Sequence, residues 1–132
     1  MLLTKASEYA LLSLILISKE NDPVDVDTLS KQLDISKSFL AKILQSLARE
    51  EILISYKGAR GGFKLSKAPE EISVKDVIEF AEKKAPTVFE CSPSKKSCKS
   101  KKAETCQIWP FLNRLQMKID NFLNEISLKD IM

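Results

Sequence analysis

SKSFLAKILQSLAREEILISYKGARGGFKLSK, residues 36–67, is the stretch whose reading decides the fold. Ser36 stands where a helix wants an N-cap oxygen. Behind it Phe39, Leu40, Ile43, Leu44 and Leu47 recur at i, i+1, i+4, i+5 and i+8, one apolar stripe at helical spacing. The opposite face carries Lys37, Ser38, Lys42, Gln45 and Arg49. Then the period changes. Ile52, Ile54 and Tyr56 alternate with other residues, as do Phe63 and Leu65, and Gly58-Ala59-Arg60-Gly61-Gly62 supplies a reversal, so a β-hairpin is expected. Lys57, Arg60 and Lys64 make it basic.

Upstream, Asp25 and Asp27 offer capping oxygens for a short helix over Thr28–Leu33, with Leu29 and Leu33 on one face. Two short helices joined by a tight turn at Asp34-Ile35, the second polar and basic on one side, form a helix-turn-helix pattern, and a hairpin directly after the recognition helix is a wing. Before them, Thr4 is placed to cap KASEYALLSLILISKE, residues 5–20, a helix apolar almost all round and therefore buried on most sides. Asn21-Asp22-Pro23 ends it as a turn. Downstream, Ser73 with Asp76 resembles a capping box before VKDVIEFAEK, and Pro86 ends that helix. Beyond the last cysteine, Ile108, Leu112, Leu115, Ile119, Phe122 and Ile126 advance by alternating fours and threes, a heptad seam that implies a homodimer. The expected fold is mainly α: a winged helix-turn-helix with a two-stranded β wing over residues 1–84, a cysteine loop over 85–107, and a long C-terminal dimerisation helix over 108–132.

A chain of 132 residues with 44% hydrophobic residues has room for one modest core. Its net charge is only +3, but residues 31–67 hold eight Lys/Arg against three Asp/Glu, a local excess of the kind that nucleic acid attracts. The apolar run Tyr9–Ile17 falls well short of the ~20 residues that span a bilayer, and no small-residue cleavage site follows it. No membrane partner and a cytoplasmic location are expected.

FECSPSKKSCKSKKAETC, residues 89–106, gathers all three cysteines at C-x6-C-x7-C spacing, interleaved with five lysines. Three uses are open to such a loop. Three thiolates could hold an iron-sulfur cluster if one further donor were found. A zinc site would normally add a histidine, which the chain lacks, and CxxC knuckles are absent. Two thiols could form a redox pair, with Lys95, Lys96, Lys99, Lys101 and Lys102 lowering their pKa. Catalysis is not expected: there is no histidine base, no Gly-rich phosphate loop and no framed nucleophile.

Together these residues resemble the Rrf-two family of bacterial transcriptional regulators over nearly the whole chain. The resemblance rests on LTKASEYAL at 3–11, on ISKSFLAKILQSLAREEILIS at 35–55 followed by KGARGGFKL at 57–65, and on the cysteine loop leading into an amphipathic helix. It implies a homodimeric repressor or dual regulator on a double-stranded DNA operator, sensing redox state, nitric oxide or iron-sulfur status. By the same resemblance Cys91, Cys98 and Cys106 hold a [4Fe-4S] or [2Fe-2S] cluster, and Lys5, Ser36, Lys37, Ser38, Phe39, Lys42, Gln45, Lys57, Arg60 and Gly61 meet DNA. The gaps here exceed the family's common C-x5-C-x5-C. Where the family's iron-sulfur biogenesis regulator has a ligand histidine, three residues after the last cysteine, this chain has Trp109. Where its nitric-oxide sensor uses a first-helix carboxylate from the other subunit, this chain has Glu8, the implied fourth ligand. The alternative is a cluster-free member that senses thiol oxidation or a partner protein.

Overall fold

The first helix behaves as its composition requires. In the computed structural model, which describes residues 3–102 and 104–132, α1 (Lys5–Ser18) buries Ala10, Leu14 and Ile17 and half-buries Tyr9, Leu11, Ile15 and Leu16. It touches α2 (Val26–Leu33), α3 (Lys37–Arg49), α4 (Val74–Glu82) and the C-terminal turn. Thr4 takes the N-cap position, but its side chain caps nothing. The cap comes instead from the far end of α4, where Glu82 Oε1 accepts the Thr4 backbone N–H at 2.9 Å and the Ser7 hydroxyl. A carboxylate placed there also faces the positive end of the helix dipole.

α2 starts at Val26, earlier than expected, because Asp25 alone is the cap: its carboxylate accepts the Thr28 N–H at 2.6 Å. Asp27 lies inside the first turn and pairs with Lys31 at 3.0 Å. Asp34, left-handed at φ 55°, turns the chain into Ser36, whose hydroxyl accepts the Phe39 N–H at the start of α3. The buried stripe of α3 is Leu40, Ile43, Leu44 and Leu47. Phe39 stands outside it, 40% exposed, its ring meeting the Tyr9 ring edge-on at 5.8 Å.

β1 (Leu53–Tyr56) pairs antiparallel with β2 (Gly62–Leu65), with Leu53 opposite Leu65 and Ser55 opposite Phe63. The inward face is the reverse of the expected alternation: Leu53 is buried, whereas Ile54 and Tyr56 are exposed. Ile52 is buried because it precedes the strand. A bridge from Val24 to Phe63, with N–H···O distances of 3.0 and 2.8 Å, ties the wing to the segment between α1 and α2. That bridge explains Gly62: its φ is +146°, and a Cβ there would lie 2.5 Å from the Val24 carbonyl carbon. At Gly61 a Cβ would lie 2.5 Å from the Tyr56 carbonyl oxygen. The close approach both glycines permit is to the protein's own backbone.

Ser73 caps α4 by accepting the Asp76 N–H at 3.2 Å, and α4 ends at Glu82 with left-handed Lys83, before Pro86 is reached. The C-terminal helix α5 (Trp109–Glu125) is shorter than expected. Residues 126–132 turn back onto the first domain: the Val74 N–H donates to Ile126 O at 3.0 Å, the Leu128 N–H to Ile72 O at 2.8 Å, and Leu128 is fully buried. Burying one leucine is worth about 1.5–3 kcal/mol, which fastens the end of the chain to the core. The heptad-spaced residues therefore divide. Ile119 and Ile126 join Leu123 against Val74 and Ile78 of α4, while Ile108 and Phe122 stay exposed beside an equally exposed Phe111.

Gly62→Ala should lower the unfolding free energy by roughly 1–3 kcal/mol from backbone strain alone. Gly58→Ala should lower it less, since Gly58 has φ +100° but nothing within 4 Å of its would-be Cβ. Urea titrations of the two variants check this, and equal losses would show that the Val24 contact contributes nothing.

Candidate functional site

The exposed side of α3 follows from its buried side. With Leu40, Ile43, Leu44 and Leu47 inward, Ser36, Lys37, Ser38, Phe39, Lys42 and Gln45 are all exposed. The Ser36 and Ser38 hydroxyls lie 3.0 Å apart at the helix start. Lys37 is 3.7 Å from Asp27, so part of its charge is already answered. Lys42, and Lys57 and Arg60 on the exposed wing, make no ion pair among the described residues. Gly61 is half-buried. Lys5 belongs to the same neighbourhood: its ammonium lies over the Tyr9 ring at 5.8 Å, and Tyr9 in turn holds Phe39. Glu8 pairs with Lys5 at 3.0 Å and holds that lysine's pKa above its ordinary value. The result is a surface of cations and hydroxyls on a helix flanked by a basic hairpin, which suits phosphate and base-edge contacts.

The cysteine loop is built from its fastening upward. Four α5 positions spaced i, i+4, i+7 and i+11 turn one polar face toward its first segment. The Trp109 indole N–H donates to Cys91 O at 3.0 Å, and the Asn113 amide to Ser92 O at 2.9 Å. Buried Gln116 accepts the Val88 N–H at 2.9 Å and the Ser92 hydroxyl at 2.7 Å, and donates to Pro86 O at 3.0 Å and to Asp120 at 2.9 Å. Every hydrogen-bonding position of that amide is used, as a buried amide requires. Asn113, Gln116 and Asp120 went unread in the sequence, and Trp109 was noted only as standing in place of a histidine, although their shared spacing on an otherwise amphipathic helix was the available signal.

The outer half of the loop is held more lightly. Lys95 reaches Glu104 at 3.3 Å and lies over the Trp109 ring at 5.3 Å, and Lys99 reaches Glu90 at 2.9 Å. The thiols differ accordingly. Cys91 is buried, and burial, followed by the charges of Cys98 and Cys106, pushes its pKa up. Cys98 is half-exposed and held below its ordinary value by the Ser100 hydroxyl, 3.2 Å away, and then by the amide N–H groups of Lys102, Ser100 and Lys101. The lysine ammonium groups, expected to lower the thiols, are not what shifts Cys98; its own turn is.

An iron-sulfur cluster is held by thiolates, and hydrogen-bond donors around the sulfur tune it. In kind the loop fits: three cysteines, none in a disulfide, one of them cradled by amides. In arrangement they are not drawn around one point, since among the described residues no group of three His, Cys, Asp or Glu side chains is placed to hold an ion. Glu8, exposed on α1 and paired with Lys5, is not joined to them within this one chain.

Comparison with known proteins agrees with this architecture. Residues 3–132 match the family model of Rrf2, described as an iron-dependent transcriptional regulator. An HTH-type transcriptional regulator of Aquifex aeolicus is 29% identical, covering 99% of this chain and 91% of its own length. The regulator NsrR of Bacillus licheniformis is 28% identical over 99% of this chain and 92% of its own. Among solved structures, CymR of B. subtilis, the global cysteine regulator, superposes with a TM-score of 0.75 at 19% identity, over 97% of this chain and 93% of its own. The relatives are transcription regulators rather than enzymes, and no helix among the described residues is long and apolar enough to cross a membrane. A winged helix-turn-helix with a basic recognition face, a cysteine loop fastened to its last helix and a family match over almost all its length place this chain in the Rrf2 family of transcriptional regulators.

Proposed function

We propose that this regulator represses transcription as a homodimer on operator DNA and that an iron-sulfur cluster on Cys91, Cys98 and Cys106 sets its affinity. The observation that carries this reading is the fastening of the cysteine loop to α5, a helix whose outer side leaves Ile108, Phe111 and Phe122 exposed. Three large apolar side chains at helical spacing, with more than half of each exposed, suit the same face of a second copy. A sensor loop fixed to a dimer helix joins what is sensed to how two DNA-binding domains are spaced.

On DNA, Ser36, Lys37, Ser38, Lys42 and Gln45 enter the major groove, with Phe39 steadied by Tyr9. Lys57 and Arg60 of the wing, with Gly61 beside them, meet the backbone or minor groove, and Lys5 meets a phosphate. Half-sites one helical turn apart, ~34 Å, make binding sensitive to small changes in the separation of the two α3 helices. A bound cluster would supply redox-active iron, held by Cys91, Cys98 and Cys106 with Glu8 of the partner subunit as fourth donor; Glu8 would then leave Lys5, its present partner, free for DNA. Loosening of the loop then reaches α5 through Trp109, Asn113 and Gln116.

A second reading, a cluster-free regulator that senses thiol oxidation or a partner protein, is favoured by one observation: Cys98 is half-exposed and its thiol is held below its ordinary pKa by the Ser100 hydroxyl and the amides of its own turn. Binding to DNA would then survive iron chelation and respond to cysteine oxidation.

Three measurements test the proposal. Lys42→Glu with Arg60→Glu should weaken operator binding at least tenfold and flatten its salt dependence without changing helix content. Unchanged affinity would remove α3 and the wing from the DNA interface. Protein purified without oxygen should be coloured and hold about four iron and four sulfide per subunit, or about two of each for the smaller cluster; a colourless sample after anaerobic reconstitution favours the thiol reading. Glu8→Ala should alter the cluster's spectrum or shorten its lifetime, and identical spectra and decay would take Glu8 off the ligand list.

A further inference from the structure

We propose that Trp109 is a positioning residue for the first thiol, acting through the Cys91 backbone. An indole nitrogen is a donor only and cannot serve as a ligand in the way an imidazole does. Here it donates to Cys91 O at 3.0 Å, from the first residue of α5. The same ring carries the Lys95 ammonium at 5.3 Å on its face, and Lys95 holds Glu104. One side chain thus touches both halves of the loop: the anchored segment that ends at Ser92 and the outer turn that carries Cys98. Asn113 and Gln116 fasten residues 86–92 independently of Trp109, so the indole sets where the Cys91 thiol points rather than whether the loop stays docked.

The consequence is an unequal site. Cys91 is held to α5 and is buried among its neighbours, while Cys98 and Cys106 are half-exposed and lie beyond the hydrogen-bonded segment. Cys91 is the fixed member, and the other two are brought to it.

The test uses the full chain, reduced and metal-free, with cysteine-by-cysteine alkylation by iodoacetamide read from peptide masses. Trp109→Phe keeps the aromatic ring and deletes the donor. It should raise the labelling rate of Cys91 about two- to tenfold, the range that one net hydrogen bond supports, and leave Cys98 and Cys106 within about twofold. Because the chain has one tryptophan, the unmutated protein offers a second readout: its single indole N–H resonance should exchange with solvent far more slowly than a free indole. An unchanged Cys91 rate or an unprotected indole overturns the proposal, and the indole readout stands even if the variant fails to fold. A third arm rests on the cluster reading: Trp109→Phe should lose cluster absorbance to a chelator faster than the unmutated protein, and equal decay also overturns the positioning role. If the unmutated protein forms no cluster, that reading fails by itself, and the alkylation and exchange arms decide the case of Trp109.

Discussion

A helix that is apolar on nearly every side must be covered on nearly every side, and the architecture follows from that demand on α1. Leu14 and Ala10 are fully buried, and the cover is assembled from parts spread along the sequence: α2, α3, α4, the wing strand β2 and the last turn. Once α3 gives Leu40, Ile43, Leu44 and Leu47 to this core, Lys37, Ser38, Lys42 and Gln45 are left facing solvent, while Ser46 turns inward to Phe80 O. The exposed basic surface is thus a by-product of packing. Even the start of α1 is finished from outside, by the Glu82 carboxylate at the end of α4.

The helix-turn-helix and its wing were legible because several local signals agree there: a capping serine, a 3.6-residue stripe and a glycine-rich reversal. Register was not. With apolar residues at 52, 53, 54 and 56, a strand of four residues fits either face, and only pairing of Leu53 with Leu65 and of Phe63 with Val24 decides between them. Phe39 was counted in the apolar stripe and also, by resemblance, among the residues that meet DNA; four others fill the stripe, and its exposed ring rests on Tyr9. The end of α5 was misjudged because a heptad pattern continues through Ile126, where a backbone bond to Val74 overrides it. Thr4 is a sound cap by type, and nothing near it in sequence could announce a competitor 78 residues away.

The cysteine loop shows the same limit at the site itself. Spacing and clustering led to the expectation that the three thiols act together, and the family match agrees with a regulatory chain. What spacing cannot express is that the three sit in different settings. Cys91 is enclosed against α5, and Cys98 is wrapped by the amides of its own turn. Desolvation and hydrogen bonding, not proximity to lysine, separate their chemistry. Gln116 carries much of this arrangement through one buried amide, and a glutamine between Leu115 and Met117 on an amphipathic helix gives little hint of it.

Leu128, packed into the core of the first domain, also orders events in time. Synthesis runs toward the C-terminus, so the core can take up Leu128 only after the cysteine loop and α5 have been made. Domains usually fold as units as they emerge; here the unit spans nearly the whole chain. The helix-turn-helix core and the cysteine loop that precedes α5 are therefore completed by the same closing step.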